Sequence, residues 1–216
     1  MFVRLVQRLK DDQSGITGLE TAIILIAFVV VAAVFAYTVL SAGIFSTQKS
    51  QEAVYSGLQE ARSSLVLRGG VIATANNTGS DGTIKQLSFI VSGVLGGEAL
   101  DFTPPDAASD NSGVAGNHHK VVISYVDKSQ QVHDLYWTLT KLGNADADNV
   151  LEQNEQFQVT IGSSTVSSDG GNLIDALGTP LTTNTTFSLL VLTPAGPVLE
   201  VERTTPAYID TKINLH

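Results

Sequence analysis

One acidic stretch of the chain has a spacing of side chains that could bind a metal ion. Residues 144–155 place oxygen-bearing side chains at positions 1, 3, 5, 9 and 12 of a loop, namely Asn144, Asp146, Asp148, Glu152 and Glu155. Alternating carboxylates and a final glutamate, which can bind through both oxygens, are typical of calcium loops. Asn144 at the first position and Asn149 at the turn depart from that pattern. The sequence therefore predicts a Ca²⁺ site here, and a solvated acidic loop is the alternative.

Other residues that could do chemistry are few. His118 and His119 lie in a stretch rich in Pro, Asp, Ser and Gly, and His133 lies next to Asp134 on an expected strand. We expect all three histidines on the solvated surface. No nucleophile elbow, HExxH motif or phosphate-binding glycine loop occurs. The chain also has no cysteine, which excludes disulfides, thiolate metal sites and cysteine nucleophiles. Nothing in the sequence supports an enzyme.

Two sites could carry a covalent modification. Asn76 and Asn184 each begin an Asn-x-Thr sequon, and both lie in sequence typical of loops. Glycan transfer requires an accessible loop in an exported protein. We therefore predict N-glycosylation at both positions.

Charge is distributed unevenly along the 216 residues. The net charge is −9 overall, made of +1 in residues 1–15, zero in residues 16–68 and −10 in residues 69–216. A nucleic-acid-binding protein would need a basic patch, which this balance does not provide. The chain therefore divides into a short basic leader, a neutral segment and an acidic remainder, and nucleic acid is not expected as a partner.

The neutral segment predicts one long helix. Residues 21–48 contain no charged side chain, and residues 22–40 are apolar except for Tyr37 and Thr38, a length that can span a bilayer. Apolar residues then recur at helical spacing as far as Leu65. We predict a helix from about residue 17 to about residue 67, ended by Gly69 and Gly70. The basic residues before it place the N-terminus in the cytoplasm.

An ordinary secretory signal does not fit this N-terminus, because the apolar stretch is too long and no small-x-small site ends it. A cut between Gly15 and Ile16 would remove the charged leader and leave the whole helix on the mature chain. Residues 17–20 read Thr-Gly-Leu-Glu, a capping box in which Glu20 satisfies N–H groups at the start of the helix.

The acidic remainder alternates with a period of two residues. Strands are predicted at residues 71–75, 86–94, 120–126, 132–139, 157–161, 186–192 and 198–203. Short strands with turn-rich joins and no helices between them favour an antiparallel β-sandwich of immunoglobulin-like type over residues 69–216. The fold class expected for the whole chain is α+β, a long N-terminal α-helix followed by this head domain.

Residues 11–66, including ITGLETAIILIAFVVVAAVFAYTVLSAGIFSTQKSQEAVYSGLQEA, resemble the N-terminus of archaeal flagellins (archaellins) and of type IV pilin-like subunits more generally. The resemblance is close over the first 70 residues and weak beyond them. It implies that a membrane leader peptidase cuts after Gly15 and that the helices of residues 16–68 bundle as a filament core. It also implies glycans, and for many type IV pilins a glutamate at the position of Glu20 pairs with the N-terminal amine of a neighbouring subunit.

The expected function is that of a structural subunit of an archaeal flagellum for swimming. The subunit would polymerise with itself, alone or with paralogous subunits, outside the cell, assisted by membrane assembly and motor machinery. Head-to-tail contacts between identical subunits need not close, so a filament follows. Two alternatives stay open, a non-rotating adhesive pilus and a single-pass anchored surface receptor. A receptor would keep its leader and would need a linker, whereas the helical pattern continues to Leu65.

Overall fold

The computed structural model describes residues 2–94 and 97–215, and the side chains of residues 18–94 and 97–215. These residues form two compact units, Met1–Tyr55 and Ser56–His216. The first unit is helical throughout its described residues, and the second contains the remainder of that helix and all the strands.

The helix α1 spans Phe2–Arg62. Its part from Gly18 to Arg62 is long and apolar enough, by length and composition alone, to cross a membrane. Because α1 begins at Phe2, residues 17–20 lie inside the helix of the uncut chain. The helix of the uncut chain therefore starts before the predicted residue 17, and the capping box at the start of the cut helix stays a prediction.

The predicted end of the helix near residue 67 is also wrong. The helix ends at Arg62, and the first strand, β1 (Leu65–Asn77), begins three residues later. Leu65 pairs with Gly93 across the sheet and is buried. Its position therefore fits a strand, although its spacing in the sequence also fits a helix. Gly69 lies within β1 with a φ of 80°, at a place where the pairing register shifts, so the glycines shape a bulge and do not end the helix.

The second unit contains eleven strands and one short helix. After β1 the elements are β2 (Thr83–Gly93), β3 (Leu100–Asp101), β4 (Val122–Asp127), β5 (Gln131–Val132), β6 (Trp137–Leu142), β7 (Val150–Leu151), β8 (Gln156–Ile161), α2 (Leu173–Ala176), β9 (Thr186–Leu192), β10 (Leu199–Thr204) and β11 (Lys212–Leu215). One sheet has the order β11-β1-β2-β8-β6, the second β10-β9-β4-β5, and β3 pairs with β7. Every pairing between these strands is antiparallel.

A single hydrophobic core joins the two larger sheets. Phe102 contacts Trp137 and Phe157 edge-on. Tyr125 on β4 stacks on Phe187 of the neighbouring strand β9. All five rings are almost completely buried. The predicted α+β fold, a long helix followed by an antiparallel β-sandwich head, is confirmed.

The strand predicted at residues 132–139 is interrupted. β5 ends at Val132 and β6 begins at Trp137. Asp134, between them, has a φ of 58°, a left-handed conformation that a strand cannot continue through. The short strands β3, β7 and β11 and the helix α2 were not predicted, because segments of two to four residues carry too little periodicity.

Candidate functional site

The apolar surface of α1 is the most unusual feature of the first unit. Large side chains are exposed on all sides of the helix, with Phe28 exposed by 70%, Phe35 by 69% and Leu25 by 62%. A helix that is apolar all round requires lipid or protein around it. A surface of this extent on a water-soluble chain marks a membrane or protein contact.

Some of the polar side chains in this part of α1 form hydrogen bonds within the helix. The hydroxyls of Thr38 and Thr47 each donate to the carbonyl three residues earlier, at 2.8 Å. A hydroxyl bonded in this way needs no hydrogen-bond partner on a neighbouring molecule. At Thr38 and Thr47 the surface can therefore pack against apolar groups without leaving a buried donor unpaired.

The predicted processing and assembly residues lie on the same helix. Gly15 and Ile16 fall within α1, and their side chains lie outside the described residues. Glu20 is exposed and is the one charged residue between positions 18 and 48. A lone carboxylate on a surface that becomes buried needs a positive partner.

The acidic loop is organised by hydrogen bonds between its carboxylates and its own backbone. Glu155 is buried and accepts from the N–H of Asp146 at 3.0 Å and of Glu152 at 2.9 Å. Asp146 accepts from the N–H of Asp148 at 2.9 Å, and Asp148 accepts from that of Val150 at 2.8 Å. These are local turns of the kind that aspartate favours.

The five predicted calcium ligands are not brought together. Asn144, Asp146, Asp148 and Glu152 are exposed, whereas Glu155 points into the loop. No group of three or more His, Cys, Asp or Glu side chains that could hold a metal occurs among the residues that the structure describes. Calcium binding at these residues stays a prediction.

Two other carboxylates order loops in the same way. Asp101 accepts from the hydroxyl and the N–H of Thr103 and pairs with Lys120, and these hydrogen bonds lower its pKa to about 2. Burial alone would raise the pKa of Asp127, but the hydrogen bonds that Ser129 and its neighbours donate hold that pKa well below its usual range. Some of the acidic side chains of the head therefore stabilise its turns by accepting hydrogen bonds.

The histidines divide into two classes. His118 and His133 are exposed, as predicted, and His118 pairs with Asp106. The prediction for His119 is wrong, because its side chain is only 8% exposed and its Nε2 lies 2.8 Å from Asp134 Oδ1. This contact joins residues 15 positions apart, and the polar sequence around His119 does not indicate it.

This contrast predicts different costs for two neighbouring substitutions. His119→Ala leaves Asp134 without its partner and opens a cavity, so the free energy of unfolding of the head falls by about 1–3 kcal/mol. The matched change His118→Ala, at a side chain 77% exposed, leaves it nearly unchanged. Fluorescence of Trp137, the single tryptophan and fully buried, follows unfolding in the detergent-solubilised chain. Equal losses in the two variants would contradict the assignment.

Both predicted glycosylation sites are accessible. Asn184 lies exposed in a turn with a φ of 51°. Asn76 is also exposed, but it lies next to the last residue of β1 and so not in a loop. Glycosylation at these residues stays a prediction.

Comparison with known proteins gives one consistent result. Residues 15–203 match the sequence model of the archaeal-type flagellin family. Probable flagellin 2 of Archaeoglobus fulgidus is 35% identical over 206 residues, covering 93% of each chain. Probable flagellin 1 of the same organism is 32% identical over 216 residues, covering 96% of this chain and 98% of its own.

Solved structures agree with the sequence comparison. The subunit in the archaeal flagellum of Methanospirillum hungatei strain JF1 is 31% identical, with a TM-score of 0.59 over 92% of this chain and 98% of that chain. Flagellin FlaB1 of Methanocaldococcus jannaschii is 12% identical, with a TM-score of 0.51 over 70% of this chain and 95% of its own, a likeness of fold alone.

Proposed function

The chain belongs to the archaeal-type flagellin family, and we propose that its mature form is the repeating structural subunit of an archaeal flagellum used for swimming. The observation that carries this proposal is the exposed apolar surface of α1 in a chain that matches the family over residues 15–203. The family is a structural one, and no catalytic role is proposed. Neither a non-rotating pilus nor an anchored receptor is favoured by these relatives.

The energetics of α1 favour polymerisation outside the cell. Burying one large apolar side chain contributes about 1.5–3 kcal/mol relative to water. Ten such side chains on α1 therefore represent roughly 15–30 kcal/mol per subunit. Once the helix leaves the membrane, identical helices packed side by side can keep that surface out of water. The heads, with their net negative charge, then form the solvated exterior.

We further propose that the subunit enters the membrane with its N-terminus in the cytoplasm and is cut after Gly15 by a membrane leader peptidase. The basic leader before the apolar stretch supports this orientation. The match to the family begins at residue 15, next to the proposed cut. Membrane assembly and motor machinery are proposed as the further partners.

Glu20 is proposed to pair with the new amine of Ile16 on a neighbouring subunit. The cut creates a positive charge at the start of an otherwise apolar helix, and Glu20 is the one opposite charge near it. Pairing the two groups would avoid burying either charge alone. The same carboxylate can also accept N–H groups at the new start of the helix.

Glycans on Asn76 and Asn184 and a Ca²⁺ ion in the loop of residues 144–155 are separate proposals. For the ion, chelator should lower the melting temperature of the head, followed by Trp137 fluorescence, and added Ca²⁺ should restore it. The double change Asp146→Ala and Asp148→Ala should abolish that response. Identical melting curves with and without chelator would end the calcium proposal.

A deletion strain of the source organism tests the main proposal. Cells lacking this chain should lose filaments and swimming, and the full-length chain supplied in trans should restore both. Electron microscopy and motility plates give the two readouts. Restored filaments without swimming would favour the adhesive pilus instead, and unchanged filaments in the deletion strain would contradict a major structural role.

A further inference from the structure

The last turn of α1 is bonded to the head by one loop residue. The backbone N–H of Glu98 donates to the carbonyl of Arg62 at 3.2 Å, which satisfies a carbonyl that the end of a helix otherwise leaves open. The Glu98 carboxylate accepts from the side chains of Gln59 and Ser63, each at 3.4 Å. Ser63 is fully buried, whereas Gln59 and Glu98 are exposed, so this contact lies at the surface of the head.

Two glycines allow the head to approach the helix end this closely. A Cβ at Gly97 would lie 2.6 Å from the carbonyl oxygen of Arg62 and 2.8 Å from that of Val94. A Cβ at Gly196 would overlap the carbonyl oxygen of Ser63 and lie 2.8 Å from the carbonyl carbon of Ser63. At both glycines the nearest atom in the way is a backbone carbonyl oxygen, which cannot move aside as a flexible side chain can.

The two glycines lie in loops that follow strands of different sheets. Gly97 follows β2 of the five-stranded sheet, and Gly196 lies in the turn between β9 and β10 of the four-stranded sheet. Only residues 63 and 64 separate α1 from β1. Residues 97–98 and the turn of residues 193–196 thus surround the helix end, and we call them the α1 collar.

We propose that the α1 collar is an anchor needed for filament assembly, which holds the last turn of α1 against the head. The proposal rests on the proposed function as a filament subunit. In a helical filament each subunit makes one set of contacts through α1 and another through its head. Both sets can form together only when the last turn of α1 stays against the head in every subunit. A turn that is already held there avoids the entropy cost of ordering it at each addition.

Gly97→Ala and Gly196→Ala test this, with Gly93→Ala as the matched control, because a Cβ at Gly93 meets no atom within 4 Å. Each full-length variant is expressed in the deletion strain. Both collar variants should be cut normally, but their ratio of assembled to membrane-held subunits should fall about tenfold. The Gly93→Ala chain should assemble like the unaltered chain. Collar variants with unchanged assembly and helical order would overturn the proposal.

Glu98→Ala covers the case in which an alanine in the collar prevents folding of the head. This change keeps the backbone and removes only the carboxylate that Gln59 and Ser63 bind. Trp137 fluorescence should show a folded head, while electron microscopy shows fewer and less ordered filaments than for the exposed control Glu200→Ala. Equal filaments from both glutamate variants would overturn the proposal. The unaltered chain separates the two questions, because its failure to form filaments would contradict the proposed function itself.

Discussion

A Val30→Asp chain should be cut and held in the membrane, yet form no filaments. Val30 lies in the middle of the apolar surface of α1 and is 55% exposed in the single chain. Packing against other helices would bury its new carboxylate without a partner, at a cost of several kcal/mol in every subunit. Because the cost repeats along the filament, the expected effect is complete loss. Electron microscopy and fractionation of the cells measure it.

Val30→Thr is the matched control for this prediction. Threonine is also β-branched, and its hydroxyl can donate to a carbonyl one turn earlier, as Thr38 does to Phe35. It therefore adds a polar atom without an unpaired charge, and its filaments should be close to normal. Ordinary filaments from Val30→Asp would show that this face of α1 is not in the filament core.

The second large effect concerns processing. Gly15→Val should block the cut, because a bulky side chain replaces the glycine at the proposed site. The leader of residues 1–15 would then hold the subunit in the membrane, and filaments should be absent. Mass spectrometry of the membrane fraction should find the uncut chain.

Gly18→Ala controls for a general effect of substituting this part of the helix. A Cβ at Gly18 meets no atom within 4 Å, and the position lies beyond the proposed cut. This variant should be cut and assembled normally. Filaments from the Gly15→Val chain whose first residue is Ile16 would contradict the proposed cut.

The sequence predicts the large features of the fold because their signals are long. The uncharged residues 21–48 allow one interpretation, a helix, and the alternation after Gly70 shows the main strands. The sequence does not show where the helix ends, because Leu65 fits both the helical and the strand period. Its strand conformation depends on pairing with Gly93, which lies far away in the sequence.

The sequence predicts the properties of a site residue only where they depend on its neighbours in the sequence. Spacing suggested calcium for residues 144–155, but spacing does not show that both oxygens of Glu155 accept backbone N–H groups. His119 is buried beside Asp134, which lies 15 positions later in the chain. The collar glycines are visible only when two distant loops meet the end of α1.

The account depends most on the apolar surface of α1 being inside the filament. The chain has no cysteine, so one introduced thiol is a unique label. Val31→Cys places it on α1, where the native side chain is 67% exposed in the single chain, and Ser80→Cys places it on the exposed surface of the head. In intact filaments a maleimide should label Ser80→Cys but not Val31→Cys, and after dissociation in detergent it should label both. Labelling of Val31→Cys in intact filaments as fast as Ser80→Cys would contradict the account.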